Sequence, residues 1–119
     1  MNKLIAMAAP ILPGKLSQWR NCLNELNTTW KDEYLASRKE NGVRERAYLQ
    51  TTPNGDLVIV TLEGEDPEGA MQNLFTTNDA FTKWFLTETK AIHGIDFSEP
   101  GEGVLPELVI DTQEAVLQH

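Results

Sequence analysis

The stretch VRERAYLQTTPNGDLVIVTLE, Val43 to Glu63, decides the fold. Val43–Thr52 and Asp56–Glu63 are strand-like, and Pro53-Asn54-Gly55 between them is a turn signal, so the stretch predicts an antiparallel hairpin. Taking Asn54-Gly55 as a two-residue loop sets Thr52 opposite Leu57, Gln50 opposite Ile59, Tyr48 opposite Thr61 and Arg46 opposite Glu63. One face then carries Val43, Ala47, Leu49, Val58, Val60 and Leu62, a surface suited to lie under helices. The other carries Arg44, Arg46, Tyr48, Gln50, Ile59, Thr61 and Glu63. It is mixed, neither clean core nor clean solvent surface. A bulge in either strand would exchange the two sets.

Outward from the hairpin, the flanking segments alternate in kind. Leu4 to Ala9 is apolar on both alternating sets, as a central strand buried on both faces would be, and Pro10 and Pro13 end it. The run is far shorter than the roughly 15–30 residues of a secretory signal, so it is read as the first strand. Pro13-Gly14 opens a single helix running to about Lys39, with Asn41-Gly42 as its stop. Leu16, Trp19, Leu23, Leu26, Trp30 and Tyr34 form its apolar stripe. After the hairpin, Asp66-Pro67 starts a short helix through Leu74. The TTND segment then supplies caps for a helix from about Asn78 to His93, ended by Gly94. Residues 97–106 read as a loop, Glu107–Asp111 (ELVID) as a last strand, and 112–119 as a tail.

The order is therefore βαββαβ, an α+β domain over residues 1–111 of ferredoxin-like type. It predicts an antiparallel sheet with helices on one face. The other sheet face is bare and mixed, and its natural cover is a second copy, which predicts a homodimer through the sheet.

Composition limits the function classes. A chain of 119 residues builds one core, and 40% hydrophobic with 24% charged residues is the balance of a globular protein. A net charge of -8 argues against nucleic acid, which demands a concentrated basic surface. The charge is uneven: residues 1–50 hold 8 Lys/Arg and 5 Asp/Glu, residues 51–119 hold 2 and 13. That asymmetry steers an anion to the first half, or simply reflects two solvated surfaces. No run reaches the roughly 18 apolar residues of a membrane span. Cys22 is the lone cysteine, so no intrachain disulfide forms, which suits a cytoplasmic protein. No cysteine or histidine set has metal-ligand spacing, and no phosphate loop or cofactor motif is present.

Few residues offer chemistry. Glu88 projects from the middle of a helix face that carries Phe81, Trp84, Phe85, Ala91 and Ile92. A carboxylate there is a candidate acid or base, or else a structural ion-pair partner at the core edge. His93 is the one histidine away from the terminus. It is a candidate proton-transfer group, or a favourable charge in the last turn of its helix. Arg44, Arg46 and Tyr48 share a strand face and could hold an anionic oxygen, although Arg46 with Glu63 also reads as a cross-strand ion pair. Trp19, Trp30 and Trp84 could wall a pocket for a flat ligand, or pack as core. Cys22 has no base fixed beside it by the sequence.

The segment DAFTKWFLTETKAIHGIDF (79–97), the loop after it and PELVID (106–111) resemble members of the dimeric α+β barrel superfamily, as does the element order over most of residues 3–111. That group includes the antibiotic-biosynthesis monooxygenases and the stress-responsive barrel proteins. The resemblance implies two subunits pairing their sheets into a barrel, with a ligand cavity between sheet and helices. Asn27 and Trp30 are a candidate for the Asn-Trp pairing used by its oxygenases. Three functions follow. The first is a cofactor-independent monooxygenase acting on an aromatic or enolisable compound. In it Glu88 or His93 removes a proton, Arg44 or Arg46 stabilises the anion, and Trp30, Tyr34 and Trp84 hold the rings. The second is a non-catalytic dimer, of stress-response type, that binds a small apolar or anionic molecule. The third is a structural protein with a filled core.

Overall fold

The structure, a computed structural model, describes residues 2–99 and 105–113. Three strands, β1 (Lys3–Pro10), β2 (Val43–Thr52) and β3 (Gly55–Gly64), form an antiparallel sheet in the order β1-β3-β2. Among the described residues four helices accompany the sheet in an α+β fold: α1 (Leu16–Asn27), α2 (Lys31–Glu40), α3 (Pro67–Thr76) and α4 (Ala80–His93).

The hairpin forms, with a different turn. Thr52 pairs with Gly55, so the loop is Pro53-Asn54, and Gln50 lies opposite Leu57, Tyr48 opposite Ile59 and Arg46 opposite Thr61. The expected loop would have put Pro53 into the ladder opposite Asp56. Proline has no N–H to give a ladder, and its fixed φ suits the first corner of a turn. Gly55 accepts the positive φ of 125° that follows. The register moves by two residues, an even number, so both sheet faces keep their expected members. Arg46 and Glu63 still meet, diagonally, at 3.6 Å.

The expected single helix over residues 13–39 is two. Thr28 ends α1 with φ -129° and ψ -83°, its hydroxyl bonded back to the Asn24 carbonyl at 2.7 Å. The Asn27-Thr28-Thr29 run is a poor helix former whose hydroxyls compete for backbone partners. The break lets Trp30 stack on Trp84 (centroids 5.5 Å apart) and sends α2 across β2. The last two helices agree closely with expectation. Asp66 and Asp79 cap them through Gly69 N–H and Thr82 N–H, and Gly94, in the left-handed region at φ 72°, ends α4.

All four helices meet one sheet face. Val58 is packed with Ile11, Trp19, Cys22, Leu26, Phe81 and Ile92, and Leu62 with Val43, Ala70 and Leu74. On the opposite face Leu4, Arg44 and Tyr48 are exposed. The expected last strand does not form: residues 107–111 carry no strand, and Leu108, Val109 and Ile110 are 73–80% exposed. A strand exists only through ladder hydrogen bonds with a partner strand, and among the described residues, 107–111 join no ladder, so no described strand pairs with the outer edge of β1. Residues 100–104 of the expected loop and 114–119 of the expected tail lie outside the described residues. No helix among the described residues is long and apolar enough to cross a membrane.

Candidate functional site

A cavity of about 100 Å³ lies between the sheet and the helices. Met7, Ala9, Val58 and Val60 form its floor, and Trp19, Cys22, Phe85 and Ile92 close it from α1 and α4. Ala47 lines the cavity and is nonetheless exposed, which places the mouth at the β2 edge. A second depression, of about 530 Å³, lies between the Pro10–Gly14 loop and the β2–β3 turn. Its one ionisable side chain is Asp56 and it has no aromatic ring, so it offers little to orient a ligand.

One end of the cavity is polar. Glu45 sits at an inward position of β2, between Val43 and Ala47, where an apolar residue would be ordinary. Its carboxylate accepts from Arg38 Nε at 3.0 Å and Nη2 at 2.9 Å, and from the Tyr34 hydroxyl. Arg38 is buried and lies over the Tyr34 ring at 4.6 Å and the Phe85 ring at 5.3 Å. Helix α2 makes this trio, because Tyr34 and Arg38 are four residues apart and share a face. Burial, reinforced by the Glu45 charge, pushes the Tyr34 hydroxyl well above its usual pKa and keeps it a donor.

His93, buried and in the last turn of α4, also lines the cavity. Two bonds tie this helix end to the β1–α1 connection: His93 Nδ1 to the Pro10 carbonyl at 2.8 Å, and Leu12 N–H to the Ile92 carbonyl at 2.9 Å. A carbonyl partner demands a donor, so Nδ1 carries the proton and Nε2 of the neutral ring is an acceptor. Burial lowers the His93 pKa below 6.5, and the Pro10 bond opposes this without overcoming it. The unfolded chain therefore binds the extra proton first as pH falls. His93 leaves stability untouched above about pH 6.5 and withdraws it progressively between there and its lower folded pKa. Urea midpoints should fall from pH 7.5 to 5.5, and His93→Asn, which can still donate to Pro10, should fall less. An equal fall in both proteins would show that His93 is not the group.

The other expected site residues lie elsewhere. Glu88 is half-buried at the α1–α4 seam, where Gln18 Nε2 donates to it at 2.9 Å, and it does not line the cavity. Trp30 and Trp84 pack on each other and on Phe81 rather than walling the cavity. Arg44, Arg46 and Tyr48 stand on the opposite sheet face, away from Tyr34 and His93. Burial, with the nearby Glu88 and then Glu25, pushes the Cys22 thiol up to about 12, so it is inert as a nucleophile. Asn27 is exposed at the end of α1, outside the cavity lining.

Sequence reasoning missed Arg38, Glu45 and Thr89. Two of them had a signal: Arg38 continues the Trp30–Tyr34 spacing by one more turn, and Glu45 breaks the apolar alternation of its strand. Thr89 had none. Among the described residues no cluster of three or more His, Cys, Asp or Glu side chains is placed to hold a metal. In comparison with known proteins, no family model, curated protein or solved structure matches the chain.

Proposed function

We propose that this chain is a small-molecule-binding protein that works as a homodimer and holds its ligand in the sheet–helix cavity without turning it over. The observation that carries this reading is the cavity itself, an apolar chamber with Tyr34, Arg38 and Glu45 at one end and His93 in its wall. Ligand sites are concave and mostly apolar, with a few convergent polar groups, and this one is on that plan at small scale. The oxygenase reading has less support. Its anion-holding residues Arg44 and Arg46 lie on the far sheet face, Glu88 is engaged by Gln18, and about 100 Å³ is too little for a ring system. Only His93 keeps it in view.

The dimer belongs to the same reading. Leu4, Ile59 and Tyr48 lie on the outer sheet face, where helices do not reach, and a second copy covers them as in the dimeric α+β barrels. Residues 107–111 then supply the fourth strand of the ferredoxin-like order at the open β1 edge. The buried lone thiol suits a cytoplasmic setting.

Xenon tests the cavity, because dry apolar cavities take it up. Its ¹²⁹Xe resonance should shift saturably with the wild-type protein, and Val60→Phe, which fills the cavity from its floor, should abolish the effect. An equal shift in both proteins, or none in either, counts against the site. Light scattering at micromolar concentration tests the assembly, where a monomeric mass would sink the dimer.

A further inference from the structure

We infer that the cavity selects a neutral molecule of about four non-hydrogen atoms that donates one O–H or N–H hydrogen bond, a short-chain alcohol being the nearest chemical class. This rests on the cavity being the binding site and adds what the site recognises.

Size comes first. An apolar cavity of about 150 Å³ holds benzene, six heavy atoms, so the roughly 100 Å³ here holds about four.

Charge comes next. Arg38 is the cation on the cavity wall, and it is engaged with Glu45 at 2.9 Å, their side chains only 10% and 13% exposed. An anion that drew Arg38 away would strand the Glu45 carboxylate in a nearly buried position, at a cost larger than the new contact returns. A cation finds no better partner, because Arg38 and Tyr34 already occupy Glu45. The site therefore disfavours both signs.

The polar groups decide the rest. The neutral donors on the wall are turned into the protein. Tyr34 O–H is given to Glu45, Thr89 O–H to the Leu86 carbonyl at 3.1 Å, and His93 Nδ1–H to the Pro10 carbonyl. Cys22 S–H is a weak donor. What remains is acceptor capacity: the second nitrogen of His93, a residue only 8% exposed, and the lone pairs of Thr89 Oγ1, one turn earlier on α4. Neither acceptor has a hydrogen bond donated to it by another described residue. Acceptors that no described donor reaches are what a donating ligand on this wall satisfies, and a ligand lacking the donor leaves them unpaired.

Matched probes of four heavy atoms separate these terms: 2-propanol, acetone and acetate, with xenon as the apolar control. Binding is read from the amide resonances of Cys22, Val60 and Thr89. We expect 2-propanol to bind about tenfold more tightly than acetone and acetate not to bind. In His93→Asn, which can keep the Pro10 bond but lacks the second ring nitrogen, the alcohol preference should shrink while xenon binding persists. Acetone equal to 2-propanol, or acetate the tightest, with xenon still bound, would overturn the selectivity and leave the cavity as the site. No binding by any probe, xenon included, would overturn both. If His93→Asn does not fold, the wild-type comparison of alcohol with ketone decides alone.

Discussion

Arg38→Met should destabilise the protein by about 3–5 kcal/mol, which for a domain of this size lowers the melting temperature by roughly 10–20 °C. The reason is what remains behind. Glu45 has a side chain only 13% exposed, and it would keep the Tyr34 hydroxyl but lose both guanidinium bonds. A carboxylate in that position is largely shielded from water and has no second cation on the cavity wall. Removing both charges is a different experiment. Arg38→Met with Glu45→Leu leaves no unpaired charge, only the Tyr34 hydroxyl without its acceptor, and should recover much of the loss, because a buried pair is often matched by apolar residues of similar volume. Arg46→Met is the internal control. Its partner Glu63 is 3.6 Å away, both side chains are about one-third exposed, and the cost should stay below about 1 kcal/mol. Urea unfolding of the four proteins checks the set. An Arg38→Met protein within 1 kcal/mol of wild type would show that the trio is not the anchor of α2 on β2.

Leu62→Ala is expected to cost nearly as much, about 3–5 kcal/mol. Leu62 is 2% exposed on the central strand, two residues before its end, with Ile5 beside it on β1 and Glu45 on β2. The cost of such a truncation depends on whether the surroundings can collapse into the space. Here they cannot: Leu62 already borders the cavity, its neighbours are held by two ladders, and the lost methyl groups enlarge a void instead of closing one. Leu108→Ala removes the same atoms from a residue 74% exposed and should change the stability of an isolated chain by under about 0.5 kcal/mol. Unfolding midpoints at unchanged denaturant slope make the comparison. A Leu62→Ala loss below 1.5 kcal/mol would mean that the sheet relaxes over the site.

The contrast between these two leucines also marks the boundary of what a sequence reading reaches. Local chemistry determined the helix caps at Asp66, Asp79 and Gly94, the existence of the hairpin and the membership of its two faces. Each depends on a few adjacent residues and on a period of two or of about four, so no distant contact is required to read them. The exact turn was within reach too, because Pro53 cannot serve a ladder.

Tertiary structure decided the rest. The Asn27-Thr28-Thr29 run weakens the helix locally, and stacking of Trp30 on Trp84, 54 residues away in sequence, accompanies a turn there that helical periodicity alone would bridge. ELVID has the composition of a strand, yet strand formation belongs to a pair, and it joins no ladder with the described strands. Glu88 and Glu45 are both carboxylates on otherwise apolar faces. One meets Gln18 at a helix seam, and the other meets Arg38 and Tyr34 inside the wall of a cavity. Periodicity names the face a side chain is on. Which charges, rings and voids share that face is set by how helices and sheet come together, since Coulomb and packing energies depend on distances in space and not on spacing along the chain.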